Sequence, residues 1–350
     1  MSSLRKIGII FGPEFHDNWV DGTYLGFRNI GIDVSVLHCN QPLDSNPARP
    51  TSKRNHILTI IKALVLKMDQ ARILKKMVYL SSDVRLFFKG LFMKAIHPRA
   101  SLFIVYVWIT PRLVWITRFF HWIGIRQYFW EGDPPLHHPE SWPFFPYFDK
   151  IGMVDADWEI PYIYKNKFEV LAFGGDEKLF KSIEINDINE RFRADVSFVG
   201  LFSKERAEIL SKIKGVNLKI YGYGWDGAEE VYGFLPGTIK GPITTEDANR
   251  IFCGSKISIG TLYTGMTSRR LFDIVSAGGF QISEYRTITP GLFRDSIPLF
   301  RDTKEMLNLI DIYLKNDIKR KELANYAHEI FLAHHTFTAR ARSILLALKL

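Results

Sequence analysis

Apolar residues in this chain come in short runs bounded by glycine, proline and polar positions, and the runs alternate with amphipathic stretches. "KIGIIFG" near the start, "IDVSVLH", "SLFIVYVWI", "RQYFWEG", "FDKIGMVD" and "FEVLAFG" read as strands. Residues 18–30 and the runs "ILTIIKALVLKMDQARILKKMVYL" and "VRLFFKGLFMKAI" repeat their apolar positions at helical spacing. After a polar stretch at 181–193 the alternation restarts. "ADVSFVG", a helix from Lys204, "NLKIYGYG", "SKISIGT", a helix over 268–277 and "FQISEY" follow, with helices over most of 303–350. Short apolar strands alternating with helices predict parallel sheets. Two such runs joined near 175–194 predict an α/β chain of two doubly wound, Rossmann-like domains facing a central cleft. The ligand is then expected where the strands end at their carboxyl side.

One segment invites a different reading. "LFIVYVWITPRLVWITRFFHWIG", residues 102–124, has the length of a membrane span, but Pro111, Arg112 and Arg118 interrupt it. A buried strand followed by a helix entered near Pro111 accounts for it better. The opening "MSSLRKIGIIFGPEF" reads as a first strand rather than a signal peptide. Cys39 and Cys253, the two cysteines of the 350 residues, show no metal spacing and no disulfide framework. A reducing, cytoplasmic setting is expected.

Charge changes the picture at one place. The net charge is +9, yet residues 48–99 alone hold twelve basic side chains against Asp69 and Asp83, an excess of ten. This stretch is either a solvated helical surface or a docking face for an anionic membrane or acidic acceptor. No nucleic-acid-binding module accompanies the charge, so nucleic acid is not an expected partner.

The candidate chemistry sits in "SRRLFDIVSAGGFQISEY", residues 268–285. Thr267 or Ser268 is a suitable N-cap, Leu271, Phe272, Ile274 and Val275 form a buried face, and Gly278–Gly279 end the helix. Two arginines in a first helical turn oppose the helix dipole, unless an anion sits among them. Arg269 and Arg270 therefore point to a bound diphosphate, and Asp273, one turn on, to ribose hydroxyls. The alternative is a set of surface ion pairs. A literal G-x-G-x-x-G, Gly222, Gly224 and Gly227 in "IYGYGWDG", lacks the long helix that a dinucleotide fingerprint needs. It reads as a loop at a strand end, near the base of the bound nucleotide.

These residues resemble the GT-B glycosyltransferases, in particular the group-1 type with CgeB-like (spore maturation protein-like) members. That family carries a pattern close to N-x-R-x-F-E-A-L-A-C-G-G, then a strand and an acidic residue before Tyr. Here Ser268 stands for Asn and Asp273 for Glu, while Arg270, Phe272, Gly278 and Gly279 match. "FVGLFSKERAEIL", "IYGYGW", "FEVLAFGGDEKLF" and a closing His335, Thr336, Phe337 and Arg340 extend the likeness over about 168–345. The resemblance implies a nucleotide-diphosphate sugar (UDP, GDP or TDP) as co-substrate and no metal or other cofactor. The donor set it implies is Gly200, Lys204, Tyr223, Ile243, Tyr263, Thr267, Ser268, Arg269, Arg270 and Asp273. The domains would be 1–175 on the acceptor side, 176–335 on the donor side, and a 336–350 helix returning to the first.

Sugar transfer needs a group that takes the acceptor proton, or stabilisation of the leaving phosphate. Asp133, at a strand's carboxyl end before two prolines, is the first candidate base and His16 the second, with Asp17 and Glu131 beside them on the acceptor side. Two readings follow. One is a glycosyltransferase of cell-surface polysaccharide or glycolipid assembly, with a saccharide or lipid-linked acceptor, cytoplasmic or peripheral at the inner membrane face. The other is a non-catalytic binder of sugar nucleotides or membranes with the same fold.

Overall fold

The computed structural model describes residues 5–13, 19–39, 71–110, 113–260 and 267–350, without the side chains of 71–81 and of His137. The chain forms two compact units. The first comprises Met1–Gly152, Ile160–Glu169 and Ile344–Leu350, the second Met153–Glu159 and Val170–Ser343.

In the first unit the elements are β1 (Lys6–Pro13), α1 (Trp19–Asn29), β2 (Asp33–Cys39), α2 (Ala71–Ile96), β3 (Ser101–Tyr106), α3 (Val114–Trp122), β4 (Arg126–Glu131), β5 (Lys150–Met153) and β6 (Phe168–Val170). They form one sheet ordered β2-β1-β3-β4-β5-β6. β1 pairs in parallel with β2 and β3, and β3 with β4. β1 and β3 are almost continuously apolar because parallel strands of this kind are covered on both faces. Gly8 lies opposite Phe103, and a Cβ on it would come 2.4 Å from that ring, so the register itself requires glycine there. One of the buried polar residues of this core is Gln127. It accepts from the Tyr106 hydroxyl at 2.8 Å and donates to the carbonyls of Thr117 (2.8 Å) and Tyr147 (3.1 Å). A buried amide satisfied three times over ties β3, β4 and α3 into one arrangement.

The 102–124 segment divides as its proline suggests, into β3 and α3. Among the described residues no helix is long and apolar enough to cross a membrane. Residues 40–70, which hold much of the basic stretch, lie outside the described residues.

The second unit follows with β7 (Ala194–Val199), α4 (Lys204–Leu210), β8 (Leu218–Tyr221), α5 (Ala228–Tyr232), α6 (Thr245–Gly254), β9 (Ser255–Ile259), α7 (Arg270–Ser276), β10 (Gln281–Glu284), α8 (Ile288–Phe293), β11 (Leu299–Phe300), α9 (Thr303–Leu314), α10 (Asp317–His334) and α11 (Phe337–Ala347). Its sheet runs β11-β10-β9-β7-β8 with parallel pairs throughout. Val196, Phe198, Ile220, Trp225, Ile257, Ile282 and Met306 fill the core. Helix starts are set by local chemistry: Ser203, Thr244, Asp302 and Asn316 each accept a backbone N–H from their own first turn.

The closing motif proves to be a structural lock within this unit. Arg340 donates through Nε and Nη2 to the Phe173 carbonyl (3.1 and 2.9 Å) and through Nη2 to His335 Nδ1 (2.9 Å). The other ring nitrogen of His335 then donates to the Leu292 carbonyl at 2.8 Å. Burial, with Arg340 beside it, pushes the His335 pKa down to about 4, so the ring stays neutral. Gly175 bridges to Thr336 and completes the tie.

Candidate functional site

In the second unit, three loops converge at the carboxyl ends of β7, β8 and β9. Gly200 follows β7, Gly222 follows β8 and Gly260 follows β9. Their approach is unusually close. Gly222 has φ 141°, and a Cβ there would lie 2.0 Å from the Gly200 carbonyl oxygen. The Trp225 indole donates to that same oxygen at 2.9 Å. The glycine triplet is thus a packing device between two strand-end loops. Gly227 caps only the five-residue α5, not the long helix of a dinucleotide site.

Arg270 enters this junction from the third loop. Its side chain is half-buried, with Nη1 donating to the Gly260 carbonyl at 2.8 Å and the guanidinium 4.7 Å above the Phe198 ring. A Cβ on Gly200 would meet Arg270 Nη2 at 2.4 Å, so glycine makes the room for it. Burial pushes the Arg270 pKa down to about 9, helped by the like charge of Arg206 and opposed by Asp273. Arg206 lies 5.6 Å over the same ring and donates to the Leu201 carbonyl at 2.7 Å. Arg269 forms an ion pair with Asp273 at 3.5 Å. Three guanidiniums gathered with one carboxylate, beside loop backbone, favour an anion.

α7 starts differently from the sequence expectation of 268–277. Arg269 occupies the N-cap in helical conformation, and Ser268 Oγ accepts from Arg270 N at 3.2 Å. Thr267 is engaged elsewhere. Its N–H and hydroxyl both reach Asp155 Oδ2, at 2.6 and 2.7 Å, and neither side chain is exposed. Asp155 Oδ1 accepts from Asp157 N (3.0 Å), and Asp157 in turn accepts from Thr287 N (3.2 Å). The helix ends as predicted: Gly278 at φ 72° and Gly279 donate back to the carbonyls of Val275 and Ile274, a Schellman turn.

The remaining donor-side candidates spread around this centre. Lys204 is exposed at the start of α4 and sits 3.8 Å from Glu208. Tyr223 receives Phe202 N on its carbonyl at 2.9 Å. Ile243 packs, half-buried, on the apolar clusters around Phe252 and Tyr221. Asp273 is buried beside Arg269, and Tyr263 lies outside the described residues. Asp155 and Arg206 are additions that the sequence reading missed. Asp155 ends an apolar run like the other strand-end candidates, but its partner is 112 positions away. Arg206 lay hidden in a first turn read for Lys204.

In the first unit, Glu131 and Asp133 come together at the carboxyl end of β4. The Asp133 amide donates to Glu131 Oε1 at 3.2 Å. Burial pushes the Glu131 pKa up to about 8, against the backbone hydrogen bond from Asp133. Beneath them Trp130 meets Trp19 edge-on at 5.4 Å, and a Cβ on Gly132 would collide with Trp19 at 2.7 Å. His16 and Asp17 lie outside the described residues. No cluster of metal-ligating side chains occurs among the described residues.

Residues 204–346 match the family model described as glycosyl transferase-like. No curated protein matches the sequence. Among solved structures, sucrose-phosphate synthase from Thermosynechococcus elongatus is similar with a TM-score of 0.64 at 10% identity, over 99% of this chain and 98% of that one. HepE of Anabaena, in complex with UDP, matches at 0.60 and 12% identity, over 98% and 99%. The E. coli trehalose-6-phosphate structure bound with UDP-2-fluoro glucose matches at 0.59 and 11%, over 98% and 99%. The chain has the α/β GT-B glycosyltransferase fold with two parallel sheets, and its match to the glycosyl transferase-like family model falls in the second unit and the closing helix.

Proposed function

We propose that this chain moves a sugar from a nucleotide-diphosphate sugar to an acceptor, and that the anion-favouring junction of the second unit receives the donor diphosphate. The observation that carries the reading is Arg270, half-buried among glycine-lined strand ends inside the glycosyl transferase-like segment. A partly desolvated guanidinium with a depressed pKa gains from an anion that enters beside it. Arg206 and Arg269 add charge, Ser268 and Thr267 lie just before α7, and Tyr263 is a further donor contact by its place in the sequence. Asp273 would take ribose hydroxyls by exchanging part of its pairing with Arg269. Gly200, Lys204, Tyr223 and Ile243 would line the approach to base and sugar. Fold neighbours in complex with UDP and a UDP-sugar support a UDP-type donor, with GDP and TDP as the other arms.

The first unit, extending to about residue 175 in the functional division, is the acceptor side, and 336–350 serves as the connecting helix. Asp133 takes the acceptor proton, with Glu131, His16 and Asp17 around the acceptor. A membrane-linked acceptor, met at the inner face of a membrane through residues 48–99, fits a role in polysaccharide or glycolipid assembly of the CgeB-like kind. Donor hydrolysis across UDP-, GDP- and TDP-sugars tests the reading. Slow release of sugar from one donor, lost on Arg270→Ala, is the expected result. Tight donor binding with no release and no transfer would favour a non-catalytic binder.

A further inference from the structure

Among its described residues, the first unit carries a face that their packing does not use. Along α2, Leu86 and Met93 are buried and Gly90 lies under the Phe120 ring, while Phe88 (62% exposed), Phe92 (64%) and Ile96 (49%) recur every four residues on the outside. On α3, Ile116 and Phe120 turn inward, and Trp115 (48%) and Trp122 (79%) stay out. The rings form one continuous surface. Phe87 contacts Phe88, Trp115 and Phe119 at centroid distances of 5.7, 5.1 and 5.2 Å, and Phe119 reaches Trp122 at 5.9 Å. A contiguous aromatic patch of this kind on a water-facing surface marks a contact site.

The patch is also one-signed. Between Ser82 and Gly124 the sole acidic residue is Asp83, and it is buried. Arg85, Lys89, Lys94, Arg99 and Arg118 come from the same stretch. We infer that this face docks on an anionic lipid surface, with Phe88, Phe92, Trp115 and Trp122 entering the headgroup region and the surrounding cations over lipid phosphates. Indole and phenyl rings at the headgroup level, ringed by Lys and Arg, are the chemistry of an interfacial helix pair rather than a spanning one. A second copy of the chain fits less well, since a two-fold contact would set the same cations against themselves. Residues 40–70 are themselves basic and meet the same objection as a cover. The inference does not depend on glycosyl transfer.

Flotation of the full chain with two kinds of vesicle tests it: phosphatidylcholine alone, and phosphatidylcholine with phosphatidylglycerol. Binding to the anionic vesicles that falls with salt is expected. Phe88→Ser with Phe92→Ser should weaken it at least ~10-fold by loss of apolar insertion, and Arg118→Glu by ~5-fold or more per charge removed. Unchanged melting temperatures would show the variants folded. Quenching of tryptophan fluorescence by brominated lipid should drop in Trp122→Phe. Four results would overturn the proposal: no flotation at low salt, equal binding to neutral vesicles, binding indifferent to these substitutions, or a dimer dissolved by them.

Discussion

Asp155 and Thr267 share one buried hydrogen-bonded unit in which a single carboxylate oxygen accepts both the backbone N–H and the hydroxyl, at 2.6 and 2.7 Å. Residues 153–159 thereby anchor the approach to α7 although they lie far from it in sequence. Hydrogen bonds to a charged group contribute about 1.5–3 kcal/mol, and a deserted buried partner costs its own desolvation. A double-mutant cycle of Asp155→Ala and Thr267→Val in urea unfolding should give a coupling of ~1.5–3 kcal/mol. Additive effects would mean that the hydroxyl contributes nothing specific.

Arg270→Ala should weaken UDP binding far more than uridine binding. The guanidinium sits at the junction of the strand-end loops, on the Gly260 carbonyl and over Phe198, so its effect belongs to the diphosphate. The substitution also removes its packing on Phe198, so stability is measured alongside. Calorimetry showing equal losses for both ligands would take the phosphate role from Arg270.

Asp133→Asn should leave donor affinity and stability unchanged while transfer falls at least ~100-fold, the lower range for loss of a general base. The Asp133 backbone amide still donates to Glu131 in this variant, so the local turn is kept. Near-normal turnover would move the assignment to His16.

Glu131 makes stability depend on pH in a defined direction. Its folded pKa is raised to about 8 from 4.5, so the folded chain holds a proton that the unfolded chain has released between those values. Its stabilising contribution is full below about 4.5 and is lost as pH rises to about 8. Glu131→Gln should lie close to the wild type near pH 5 and exceed it near pH 9 by roughly 5 kcal/mol. Thermal melts at the two ends of that range check it. A constant difference would place the carboxyl in water.

The alternation of strand and helix, the two sheets and the Gly278–Gly279 helix end were legible in the sequence because each follows from spacing over a few residues. Apolar runs of strand length bury themselves, and a glycine just past the last helical turn takes the positive φ that ends it. The glycines of "IYGYGWDG" were rightly read as a loop, since the long helix that a dinucleotide site requires does not follow. What that loop packs against was not legible, because the Gly222–Gly200 approach joins two strands.

Partnership and burial state belonged to the tertiary structure. The sequence placed Arg269, Arg270 and Asp273 in one helical turn. Only packing set Arg270 over Phe198, paired Arg269 with Asp273 and brought Arg206 alongside. It likewise chose between neighbours at the end of β4, enclosing Glu131 so that its proton is held more tightly. Asp155 could not be read at all. A carboxylate's role depends on which donors surround it, and here the donors arrive from 112 positions away through long-range contacts that local periodicity does not encode.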